Sequence, residues 1–196
     1  MIEIIPHKKS WALDFAAIGA DLRNALGKAA LRLDHIGSTS VAGLDSKDVI
    51  DVQLPLAGFD GFEELVEPVE NNGYVFREAV RADHRPWDHK LAGAFDYDPD
   101  WEKRYFRSAP DRRRVHLHVR AAGRPNQRYA LLFRDFLRRH PDAAACYAAA
   151  KRALARYHAD DAEAYVTIKD PVCDLIMVQA ETWASQTGWQ PGPSDA

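Results

Sequence analysis

The residues of this chain best suited to chemistry are Gly37-Ser38, Asp51 and the pair His116 and His118. A glycine lets the backbone approach a phosphate closely, amides at a helix start point toward an anion, and a serine hydroxyl adds a donor. Asp51 follows Ser38 by thirteen residues, inside the alternating run Val49-Ile50-Asp51-Val52-Gln53-Leu54. A strand there would bring its carboxylate to the same end of a sheet, where it can hold a divalent cation, magnesium or manganese, that bridges phosphate oxygens. His116 and His118, two apart in Val115-His116-Leu117-His118-Val119-Arg120, project from one face of a strand. Together with Asp51 they make a two-histidine, one-carboxylate set able to bind zinc, iron or manganese. Without a metal, His118 can act as a general base, and the two rings can bond a phosphate or simply cover a polar face.

Cations and flanking residues complete the candidate list. Lys47 can neutralise a phosphate as a point charge, and Arg107 and Arg134 can do so through a planar fork. Arg134 with Asp135 and Arg138 also suits an internal salt-bridge set on one helix face. His35 and Ser40, on either side of the Gly-Ser turn, either orient it or touch the ligand. Tyr147 with Lys151, and Tyr165 with Lys169, each lie one helical turn apart and are adequately explained by helix packing.

Positioning these groups requires strands and helices that the pattern supplies. Ser10 can cap a helix whose apolar positions Trp11, Phe15, Ile18, Leu22 and Leu26 share one face. Residues 31–36 read as a strand that runs into the Gly-Ser turn. Asp60 with Glu63 has the form of a capping box for a helix with Pro68 inside it, ended by Asn71-Asn72-Gly73. Tyr74 to Arg77 and Arg104 to Arg107 read as short strands, and residues 81–101 as a long loop or irregular hairpin containing His84, Trp87 and His89. The remainder is helical: one stripe of Tyr129, Leu132, Phe133, Phe136 and Leu137, a second helix opened by Pro141, and a third from about Asp161 to Thr187. Residues 188–196 are rich in proline and glycine and are expected to form a loosely ordered tail.

The 196 residues are 46% hydrophobic, enough for one buried core, and residues 1–187 are read as a single domain. A net charge of -3 gives no global basic field, which argues against a general nucleic-acid binder and favours a small nucleotide or phosphorylated ligand. Two cysteines, Cys146 and Cys173, have no metal-ligand spacing and are expected to be buried reduced thiols. With no leader pattern and no run of about 18 apolar residues, the expected location is the cytoplasm.

Asp34-His35-Ile36-Gly37-Ser38-Thr39-Ser40-Val41-Ala42-Gly43-Leu44, followed by Lys47 and Val49-Ile50-Asp51, resembles the signature of the GrpB family. The likeness continues in order through Arg104-Tyr105-Phe106-Arg107, His116-Leu117-His118-Val119 and Phe133-Arg134-Asp135-Phe136-Leu137-Arg138, then Tyr147 with Lys151, and Ala164-Tyr165 with Lys169. The resemblance implies an α/β (α+β) nucleotidyltransferase-like fold, a mixed central β-sheet with a C-terminal helical portion. In that superfamily a Gly-Ser turn holds nucleotide phosphates and strand carboxylates hold magnesium. The family carries no settled reaction; taken with the residues, the expectation is nucleotidyl or phosphoryl transfer with Asp51 and His118 as catalytic groups, or binding of a nucleotide or coenzyme A derivative without turnover, the latter because some relatives are fused to dephospho-CoA kinase. A third alternative is a metal-dependent hydrolase built on His116, His118 and Asp51. The chain departs from the superfamily's Asp-x-Asp pattern, because Gln53 stands where the second carboxylate belongs, and this counts against a standard two-metal reaction.

Overall fold

The computed structural model describes residues 1–30, 32–86 and 98–196; Trp87 and His89, named above, lie outside them. Five strands form one mixed sheet: β1 (Asp34–Ile36), β2 (Ile50–Leu56), β3 (Tyr74–Phe76), β4 (Lys103–Ser108) and β5 (Val115–Ala121), in the order β1-β2-β5-β4-β3. β2 and β5 pair in parallel and the other neighbours are antiparallel. Two helices, α1 (Ser10–Leu26) and α2 (Glu63–Asn71), precede three in the C-terminal half: α3 (Pro125–Arg139), α4 (Pro141–Tyr157) and α5 (Ala162–Thr187). A mixed sheet with a C-terminal helical portion is the architecture that the sequence predicts.

Alternation explains which face of the sheet is dry. Ile50, Val52 and Leu54 on β2, and Val115, Leu117 and Val119 on β5, join Trp11, Phe15, Leu22 and Phe62 from the α1 and α2 side in one buried core. Asp51, Gln53, His116 and His118 necessarily project from the opposite face. A second core, built from α3, α4 and α5, takes in Leu132, Phe136, Tyr147 and Met177 and reaches Val41 and Leu44 beyond the Gly-Ser turn. The polar face of the sheet thus meets the helical portion, and the candidate residues Asp51, His116 and His118 sit where the sheet and those helices join.

Some local expectations change. Ser10 is the first helical residue, with Lys9 in the cap position and no side-chain cap. The start of α1 is held instead by the Trp11 indole, which donates to Asp48 at 2.8 Å. α2 begins after Phe62, again with no side-chain cap, so Asp60 and Glu63 form no capping box. Burial of Phe62 against Phe76 and Phe106 fixes that end. Cys173 is buried as expected, but Cys146 is exposed on α4. Residues 188–196, expected as a loose tail, run back along β1, where Asp195 and Ala196 amides donate to the Leu33 carbonyl and the Asp195 carboxylate accepts from the His35 amide. Among the described residues, no helix is long and apolar enough to cross a membrane.

Candidate functional site

β1 ends at Ile36, and Gly37 then turns the chain with φ of 69° into the short 3-10 helix Ser38–Ser40. A side chain at position 37 is excluded twice over. The positive φ disfavours any L residue, and a Cβ placed there would lie 2.3 Å from Asp51 Oδ2. The turn therefore lies directly on the Asp51 carboxylate, as the thirteen-residue spacing suggested.

Register brings the histidines to the same point. Asp51 pairs with His116 and Gln53 with His118 across the parallel β2–β5 ladder. His116 Nδ1 lies 3.2 Å and His118 Nε2 3.5 Å from Asp51 Oδ1, and one donor atom from each of the three residues lies within 4.8 Å of the others. Burial alone would raise the Asp51 carboxyl, but hydrogen bonds to His116 and His118 outweigh it and hold the group well below the usual carboxylate range. Burial pushes His118 down to about 4. At neutral pH the cluster therefore offers an anionic carboxylate and a neutral His118 imidazole, the protonation states that ligate metal. The Nδ1 of His118 is buried without a hydrogen-bond partner among the described residues. Donor type, count and spacing all fit a single divalent cation.

The remaining candidates separate into groups. His35 is buried, stacked on Phe15 at 4.7 Å, and its Nε2 lies 3.0 Å from Thr39 Oγ1, so it braces the turn from inside. Ser40 is likewise turned inward, donating to the Gly37 carbonyl. Arg134 is buried and donates to the His35 carbonyl and to Asp195, while Arg138 donates to the Ser40 carbonyl. This arginine pair grips the backbone on either side of Gly37-Ser38, so Arg134 supports the turn and is not free to meet a phosphate. Lys47 stands over the Tyr165 ring at 4.9 Å, its ammonium lowered mainly by burial and raised again by Asp51. Arg107 is exposed on β4, opposite His116, with its Nε donating to Tyr105 Oη.

A cavity of about 240 Å³ opens beside Gly37, Asp51 and His118 and is lined on its other sides by Tyr147, Lys169 and Trp101. The C-terminal helices contribute more than packing to it. Lys151 Nζ donates to Ser38 Oγ at 2.8 Å and to the Asp45 carbonyl at 2.6 Å. Burial, with the charges of Lys169 and Lys47 nearby, lowers this ammonium to about 7. The one-turn spacing of Tyr147 with Lys151 and of Tyr165 with Lys169 was the available signal, and helix packing alone does not account for it. Further round, Asp83 accepts from Arg120, Lys103 and Asn126. Arg120 also donates to Gln53 Oε1 at 2.7 Å. Gln53 is thus engaged by a guanidinium, which makes its position unsuited to a second cation. His84 Nε2, on the loop after β3, lies 3.0 Å from Asp174 on α5 at the cavity wall.

Fold and site together define an α/β protein with a two-histidine, one-aspartate cluster seated against a Gly-Ser turn and faced by lysine-bearing helices. Residues 1–179 match the family model described as GrpB protein, and the chain belongs to that family. The crystal structure of the conserved protein GrpB from Enterococcus faecalis superposes with a TM-score of 0.73 at 26% identity, over 92% of this chain and 99% of that one. A UPF0157 protein of Pseudomonas aeruginosa is 38% identical over 91% of this chain and 67% of its own length. A dephospho-CoA kinase of Mycolicibacterium paratuberculosis is 36% identical over 97% of this chain but only 48% of its own length. The chain therefore spans about half the length of the dephospho-CoA kinases it matches.

Proposed function

We propose that this protein binds a nucleotide or a related phosphorylated small molecule at the Gly37-Ser38 turn, with a divalent cation held by Asp51, His116 and His118, and carries out nucleotidyl or phosphoryl transfer on it. The observation that carries this reading is the convergence of those three ligands against a turn that has room only for glycine. A cation held there would neutralise phosphate charge and polarise a phosphoryl oxygen. The chain's own groups do the positioning. The turn presents backbone amides and the Ser38 hydroxyl, Lys151 and Lys47 supply positive charge from the helical side, and Arg134 with Arg138 keeps the turn in shape.

A second reading, binding of a nucleotide or coenzyme A derivative without turnover, draws support from Gln53, because its engagement by Arg120 leaves one metal position in place of two. The names of the dephospho-CoA kinase relatives support coenzyme A precursors as test ligands. Thermal-shift titration of purified protein with nucleoside triphosphates and coenzyme A precursors, with and without magnesium or manganese, tests the binding, since a ligand of the native state raises Tm by mass action. Chromatography of the bound compound after incubation then separates transfer, hydrolysis and simple binding. Metal-independent shifts, or shifts unchanged in Asp51→Asn, would overturn the site.

A further inference from the structure

The polar face of the sheet continues past His116, away from the cavity, and there it carries arginines that no carboxylate meets among the described residues. Arg107 on β4 pairs with His116, and Val75 on β3 pairs with Arg107. The Arg77 amide donates to the Tyr105 carbonyl, so alternation along the strand sets Arg77 on the same face as Val75. Arg114, two residues before His116, falls on that face as well. Tyr105 joins this patch to the metal-competent cluster. Its ring lies 5.5 Å from His116 and 5.1 Å from His118, and its hydroxyl accepts from Arg107 Nε at 3.0 Å.

Several neighbouring guanidinium groups are paired, though Arg112 meets only a backbone carbonyl and, like the three of the patch, no carboxylate among the described residues. Arg104 pairs with Glu102, Arg113 with Asp14 and Asp48, and Arg120 with Asp83. Arg77, Arg107 and Arg114 are exposed, and among the described residues none has a carboxylate at ion-pair distance. Strands lie about 4.8 Å apart, which places the patch roughly 10 Å from Asp51. The charges of Arg107 and Arg114 act on the Lys47 ammonium, and those of Arg107 and Arg77 on the Tyr105 hydroxyl. Planar forks on one face that meet no carboxylate among the described residues are suited to bidentate contact with an oxyanion.

We propose that Arg77, Arg107 and Arg114 bind a second, anionic small molecule, a co-substrate carrying a phosphate or carboxylate group, beside the Asp51 cluster. This rests on the reading of that cluster given above, and the two can fail separately. Amide chemical shifts of the full chain are followed, first with magnesium and ATP, then with glycerol 3-phosphate or succinate added.

The expected result is that one of these probes moves the amides of 75–77, 105–107 and 114–116, and that Arg77→Ala/Arg114→Ala weakens its binding at least tenfold while magnesium–ATP affinity is retained. A response to glycerol 3-phosphate alone assigns a phosphate, and a response to succinate alone a carboxylate. If neither probe moves those amides, or the double variant binds as tightly as the parent, the proposal is overturned, even where magnesium–ATP moves residues 37–51 as expected. If magnesium–ATP leaves residues 37–51 unmoved, the earlier reading falls, and the role of co-substrate falls with it.

Discussion

A methyl group at position 37 has nowhere to go, because it would enter the space of the Asp51 carboxylate from a backbone that already disfavours a side chain. Gly37→Ala should therefore cost about 1–3 kcal/mol of stability, and lower manganese affinity by more than tenfold, as checked by thermal unfolding and equilibrium dialysis. His35 makes a different prediction. Burial lowers it to about 4, below its unfolded value near 6.5, so the folded state resists its protonation. The stability it contributes is complete above pH 6.5 and is lost as pH falls through 4. Replacing it in His35→Gln should flatten the slope of unfolding free energy against pH in that interval by about 1.4 kcal/mol per pH unit, one proton's worth. Denaturant titrations at pH 4.5, 5.5 and 6.5 would measure that slope, and an unchanged slope would contradict the assignment.

Between elements, the α4 lysine that reaches Ser38 would link the proposed phosphate binding to protons. Lys151 is lowered to about 7 in the free protein against an unfolded value near 10.5, so its burial penalty is full below pH 7 and relieved as pH rises toward 10.5. A phosphate at Ser38 would restore its charge. Binding at pH 8 should then take up close to one proton in the parent and none in Lys151→Met, measured by calorimetry in buffers of different ionisation enthalpy. Asp83 anchors another junction, because Arg120 and Lys103 are buried around it. Asp83→Ala should cost about 3–5 kcal/mol by leaving those charges unpaired, read from chemical unfolding.

These junctions also mark what the sequence disclosed. Strict alternation on β2 and β5 made the Asp51, His116 and His118 face legible, and the glycine in a Gly-Ser turn made its position legible. Helix ends at Ser10 and Asp60 were misread because burial of Trp11 and Phe62, a tertiary effect, sets them. The roles of Lys151 and Arg134 were hidden for a related reason. Helical spacing shows which residues share a face, but not whether that face meets a cavity or a backbone carbonyl.

Across the whole molecule, the one parallel pairing among the described strands is β2 with β5, and it is also the pairing that assembles the metal-competent cluster. Asp51 and His116 are neighbours in space but lie 65 residues apart in the chain, with β3, β4 and α2 between them. Closing so long a segment has an entropic cost that must be met before the pairing returns any contact energy, and sheets of this kind fold slowly. No local fragment can hold all three ligands. Affinity for manganese should therefore appear late in refolding, in the same phase as burial of Trp11, and a partly folded chain should be unable to sequester metal.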